Sequence, residues 1–185
     1  MHGIYKLMGN ITMQDTIIRF DTAKIVLDWR CNLNCSYCCN KYNYIKNSFL
    51  PITYKEIADS QYTDYELTGG EVLLPSAFIK LEDLCVDYIP IGSNIYVYTN
   101  GVFLNHYRAV LMKGWGVRGL NIGYHNEPLD WELLDEINEY LPIRLWVSND
   151  DIHNIPVPLR IKDIKLWALG DCDAITTDRF YLIGE

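Results

Sequence analysis

No stretch of this chain approaches the roughly 20 consecutive apolar residues that a membrane-spanning helix needs. Lys6, Asp15 and Arg19 interrupt the first residues, where an export signal would carry an unbroken apolar core. An unprocessed protein of the cytoplasm, away from membranes, is therefore expected. Basic residues are also in deficit. Sixteen Lys and Arg against 24 Asp and Glu leave a formal net charge of -8 and a pI near 4.9. That balance excludes a broad surface that binds nucleic acid by neutralising phosphates and leaves room only for a local basic pocket. Internal repeats, low-complexity tracts and linkers are missing, so a single domain over 1–185 is expected. Outside one short loop the cysteines are scattered: Cys85 and Cys172 belong to no second C-x2-C group. With no export signal, the six cysteines read as reduced thiols rather than as a disulfide framework.

What is present is apolar and regular. With 185 residues, 49% of them hydrophobic and 13% aromatic, the chain can bury a sizeable core. Short β-branched or aromatic runs at 24–29, 65–68, 94–98, 119–123, 143–147 and 164–169 alternate with segments of helical period at 54–61, 76–88, 104–114 and 129–141. This alternation predicts an α/β fold of repeated βα units around a mainly parallel sheet. Leu129, Leu133, Leu134, Ile137 and Leu141 give the last helix one apolar face, opposite Asp130, Glu132, Asp135, Glu136 and Glu139. Residues 151–160, with Pro156 and Pro158, are too short and proline-rich for another crossover helix, so the last βα unit is expected to be reduced to a loop. Residues 1–23 are expected to form an N-terminal extension or hairpin around Gly9-Asn10.

Chemistry concentrates in two places. Cys31, Cys35 and Cys38 form a C-x3-C-x2-C loop after the first strand, gathering three thiolates, one fewer than a closed tetrahedral zinc site uses. Thr68-Gly69-Gly70-Glu71 follows the second strand. Both then lie at the carboxyl-terminal edge of the sheet, where α/β folds gather ligands. The two glycines permit close main-chain approach, and Glu71 offers an anionic acceptor suited to an ammonium group.

The three-cysteine spacing, with Tyr37 before the third cysteine and Gly-Gly-Glu after the next strand, resembles the radical S-adenosylmethionine (radical SAM) enzymes. The resemblance spans roughly residues 24–170, and its identifying motifs occupy about twenty of them. It implies a partial (βα)6 TIM-like barrel without an auxiliary-cluster domain. It also implies an oxygen-sensitive 4Fe-4S cluster held by Cys31, Cys35 and Cys38, with S-adenosylmethionine on the fourth iron. A reductant such as flavodoxin or ferredoxin would supply the electron for its cleavage to methionine and a 5′-deoxyadenosyl radical. Carried over by residue, Tyr37 stands beside the adenine and Gly69-Gly70-Glu71 against the methionine amino group. Many relatives have a serine where this chain has Gly123, so that contact is expected to pass to Asn121 or His125.

Other readings stay open. The cysteines also suit a zinc site borrowing a fourth ligand from Cys39, His125 or Cys172, in a non-catalytic metal-binding or interaction module. Thr99-Asn100-Gly101 is either a strand-to-helix turn or, as in relatives, a step that turns Thr99 toward the substrate or the cofactor. His125 is a candidate proton donor or a structural histidine. Lys24 is a candidate substrate contact or a strand-end charge. Thr99, His125 and Lys24 are thus the catalytic candidates. The resemblance reaches both small enzymes acting on nucleoside- or pterin-like molecules and activases acting on a glycyl-radical partner protein. Tyr42 and Tyr44 favour the former as walls for a planar ring.

Overall fold

The computed structural model describes residues 22–35, 38, 41, 46, 50–148, 151–156, 160–161, 163–167 and 180–183. Tyr37, Cys39, Tyr42, Tyr44, Cys172 and nearly all of the expected N-terminal hairpin lie outside the described residues.

Among the described residues, eight strands form one sheet: β1 Thr22–Val26, β2 Leu50–Ile52, β3 Asp64–Thr68, β4 Asn94–Thr99, β5 Val117–Tyr124, β6 Ile143–Ser148, β7 Asp163–Trp167 and β8 Phe180–Ile183. Their order is β2-β8-β1-β3-β4-β5-β6-β7, and all seven pairings are parallel. The α-helices whose residues are all described are α1 Tyr54–Ala58, α2 Pro75–Asp83, α3 His106–Gly114 and α4 Trp131–Asn138. The six expected strands make up the contiguous run from β1 through β3 to β7, confirming the parallel α/β class. Among the described residues no pairing joins β7 to β2, so the order is that of an open sheet.

Two strands at one side of the sheet, β2 and β8, were not expected from the sequence. β2 is three residues long and carries Pro51, and its alternation is too brief to register as a strand. β8 inserts between β2 and β1 from the far end of the chain, a placement set by tertiary pairing. Between β6 and β7 the described residues hold only a 3-10 turn, Ile152–Asn154, in line with the expected reduced unit.

Local chemistry explains where the helices start. Thr53 opens α1 with a reciprocal capping box to Glu56, Pro75 occupies the first turn of α2, and Asn105 and Asp130 accept the Arg108 and Leu133 amides. The single helix expected over 76–88 instead changes after Asp83 into a π turn, Leu84–Tyr88. This turn closes when the Ile89 amide donates to the Leu84 carbonyl at 2.8 Å.

Parallel register aligns Ile25, Leu67, Val97, Leu120 and Ile143 in one buried row. Ala77, Leu81, Ala109, Met112, Leu134 and Ile137 of the helices are buried with it in one core. Each Leu, Ile, Val or Met among them contributes about 1.5–3 kcal/mol by leaving water. The opposite face is polar and half-buried, with Lys24 paired to Glu66 at 3.3 Å and Arg144 to Asp163 at 2.7 Å. Its upper end carries the site. Among the described residues, no helix is long and apolar enough to cross a membrane.

Candidate active site

The two motif loops are joined through their main chains. Past the end of β1, the Leu27 amide still donates to the Thr68 carbonyl, at 2.9 Å; the Gly70 amide donates to Asp28 and the Glu71 amide to Arg30, both at 2.8 Å. The Gly-Gly-Glu turn is thus hydrogen-bonded to two of the three residues that lead into Cys31, Asp28 and Arg30. A Cβ at Gly69 would strike the Asp28 carbonyl, and one at Gly70 would lie 2.6 Å from the Trp29 carbonyl oxygen and closer still to that of Arg30. These glycines are needed first for contact between loops, a role beyond the approach to a ligand read from the sequence.

Asp28 braces the same stem. Its carboxylate accepts the Arg30 amide at 3.0 Å and pairs with the Arg30 guanidinium, which also reaches Ser76. The hydrogen bonds from Arg30 bring the Asp28 pKa down to about 2.

Cys31, Cys35 and Cys38 are free thiols and line one cavity of about 310 Å³. The Leu33 amide donates to Cys31 Sγ at 3.4 Å, and the Cys38 amide to the Cys35 carbonyl at 3.2 Å. Burial raises the thiol pKa of Cys31 and Cys35. Among the described residues, no three His, Cys, Asp or Glu side chains converge as ligands of a single ion.

Gly69, Gly70, Thr99, Asn121, Gly123 and His125 line the same cavity, so nine of the residues singled out in the sequence meet there. Lys24 does not line it: it lies on the same face of the sheet, nearer the amino-terminal edge, in its ion pair with Glu66. Glu71 does not line it either. The Glu71 carboxylate is 0% exposed and accepts the Leu73 amide at 2.8 Å, the Thr99 hydroxyl at 2.6 Å and the Asn100 amide at 2.8 Å. Its burial raises its pKa against these three donors. Glu71 therefore ties the Gly-Gly-Glu turn to the Thr-Asn-Gly turn, and the Thr99 hydroxyl is committed to that tie.

The cavity walls also include Thr68 and Asn100, read in the sequence only as parts of turns, and three residues that sequence reasoning missed, Leu33, Tyr98 and Trp146. Period-two alternation carried the signal for two of them. Tyr98 and Trp146 fall on the polar face of β4 and β6, in register with Asn121 and Gly123 of β5. The Trp146 indole donates to Asn121 Oδ1 at 3.1 Å and so fixes the orientation of that amide. His125 Nε2 lies 3.1 Å from where a Cβ at position 123 would be, so the missing side chain of Gly123 is what admits the imidazole. Burial lowers the His125 pKa, which keeps the ring neutral at pH 7. The described lining holds no Lys, Arg, Asp or Glu.

Behind the wall, Asn126 adopts φ 64°, and its Oδ1 accepts from the Tyr124 hydroxyl and the Asn154 side-chain Nδ2, each at 3.2 Å. Glu127 follows, 8% exposed. Its Oε2 accepts the His125 amide at 2.8 Å, while Oε1 has no hydrogen-bond partner among the described residues. Desolvation, with Asp151 and Glu71 nearby, pushes the Glu127 pKa up to about 7. An acid whose pKa is raised on folding binds a proton in the native state that the unfolded chain has already released. Stability is therefore expected to fall as pH rises from about 4.5 to about 7, from the ordinary to the folded pKa. Glu127→Gln should flatten that slope and raise the melting temperature above pH 7. An unchanged slope in thermal melts across this window would assign the proton elsewhere.

No family model and no curated protein sequence matches this chain. Among solved structures, it is similar to a crystal structure of BtrN in complex with AdoMet and 2-DOIA. The TM-score is 0.51 at 16% identity, covering 74% of this chain and 63% of that one. A second crystal structure, of selenomethionine BtrN in an open conformation, gives a TM-score of 0.48 at 18% identity, covering 81% and 66%. The chain thus spans 63% of the length of the BtrN chain in the AdoMet complex, and at this identity the likeness is one of fold.

Proposed function

We propose that this protein is a radical SAM enzyme with a partial-barrel core. The observation that carries this reading is the joining of the Gly-Gly-Glu turn, by main-chain hydrogen bonds, to the stem of the C-x3-C-x2-C loop, so that both motifs border one cavity. In this reading Cys31, Cys35 and Cys38 hold a 4Fe-4S cluster. Three thiols that line a common cavity are the donor set that such a cluster takes. The cluster, when bound, supplies the electron that cleaves S-adenosylmethionine. That BtrN binds AdoMet on a similar fold supports the same ligand here.

The chain's own residues have distinct tasks. Gly69 and Gly70 bring main-chain polar groups to the cavity wall, the role proposed for the methionine end of the cofactor. Asn121, oriented by Trp146, and the neutral His125 take over the contact a serine makes in relatives. Tyr98 and Trp146 offer aromatic surface.

The test is anaerobic reconstitution with iron and sulfide, followed by dithionite and S-adenosylmethionine. A brown protein that releases 5′-deoxyadenosine and bleaches in air is expected. Tightly bound zinc in the protein as isolated, with no cleavage after reconstitution, would favour a non-catalytic metal-binding module.

A further inference from the structure

Asn100 entered the sequence reading only as the middle of a turn, yet it is the described side chain from another strand end that reaches a cysteine of the loop. Its amide Nδ2 donates to Asn32 Oδ1 at 2.8 Å and to Cys31 Sγ at 3.8 Å. The amide is fixed from behind. Its Oδ1 accepts the Val102 amide at 3.1 Å, which turns Nδ2 toward the loop, and its backbone amide donates to Glu71 Oε2 at 2.8 Å. With the Leu33 amide, Cys31 Sγ therefore has two hydrogen-bond donors.

We propose that Asn100, through its hydrogen bond to Cys31, raises the reduction potential of the cluster that this loop carries. The inference rests on the cluster reading above. Adding one electron to the cluster adds negative charge that is shared with the thiolate sulfurs. An N–H aimed at one of them stabilises the reduced state more than the oxidised one. Glu71 acts one step further out, as a positioning residue that holds the Asn100 backbone.

The experiment compares reconstituted wild type with Asn100→Ala and Asn100→Asp in a dithionite titration followed by EPR. The alanine removes the donor. The aspartate keeps an acceptor for the Val102 amide but puts a negative charge near the sulfur. A more negative midpoint is expected for alanine, with a three- to tenfold lower ratio of reduced to oxidised cluster at a fixed potential, roughly the effect of one ordinary hydrogen bond. The shift should be larger for aspartate, at unchanged iron and sulfide content. Equal midpoints in three fully loaded proteins would overturn the inference and leave the enzyme reading standing. Variants that lose iron without a change in potential would make Asn100 a purely structural residue and overturn it as well. A wild type that takes up no cluster would overturn both.

Discussion

Cys35→Ala is expected to lose both the brown colour and the cleavage of S-adenosylmethionine, down to the level of a cluster-free blank, with almost no change in the melting temperature of the metal-free protein. The first half follows from ligand count. Removing Cys35 leaves two thiols of the triad, and a cubane held at two corners is exposed to loss of iron. The second half follows from position. Cys35 is half-buried at the cavity, belongs to no disulfide and is absent from the hydrophobic core, so the folded metal-free chain gives up little when it goes. Cys85→Ala is the converse control. Cys85 is buried in the core, and desolvation pushes its thiol pKa up to about 12, so it is an inert apolar side chain. Its truncation should cost on the order of 1 kcal/mol while iron content and cleavage stay at wild-type levels. If Cys35→Ala keeps full iron and full activity, the cluster ligands have been misidentified. If its metal-free form melts far below wild type, the loop has a structural role that the burial pattern does not show.

The parts of the fold that could be read from the chain were those set by local periodicity. β3, β4 and β6 begin and end within a residue or so of their expected limits, because each alternates buried and half-buried positions between a polar face and a helix-covered face. β2 and β8 escaped because a three-residue strand containing Pro51 has no period to detect, and because the position of β8 depends on a partner more than 150 residues away, as Lys24 pairs with Phe180. The site divided along similar lines. Motif spacing brought the cysteines and glycines to one rim, and strand register did the same for Asn121 and Gly123.

Hydrogen-bond direction was not legible in the sequence. Glu71 looks like a ligand for an ammonium group until its three donors and its complete burial are seen. Asn100 looks like turn chemistry until its amide is found pointing at Cys31. Glycine 123 was read as a missing serine. In three dimensions its bare Cα makes room for a neutral histidine, a compensation that is invisible without the distance between them.

Gly70→Ala is expected to cost more than about 3 kcal/mol, beyond the usual range for a single overpacked methyl group. The added Cβ would meet the backbone carbonyls of Trp29 and Arg30, and main-chain atoms cannot swing aside as a side chain does. Relief would require the turn to lift away from the cysteine loop, breaking the Gly70-to-Asp28 and Glu71-to-Arg30 hydrogen bonds and carrying Glu71 off the Thr99–Asn100 turn. Stability and iron loading should therefore fall together in this variant, as a lower melting temperature and a low iron-to-protein ratio after reconstitution. Gly114→Ala should do the opposite. Gly114 closes α3 with open space around its Cα, so a methyl group there removes backbone entropy from the unfolded chain without a clash, a gain of about 0.5–1 kcal/mol. A Gly70→Ala protein that melts like wild type and loads iron normally would mean that the two loops do not share a main-chain interface. The physical link between the Gly-Gly-Glu turn and the three cysteines would then be lost.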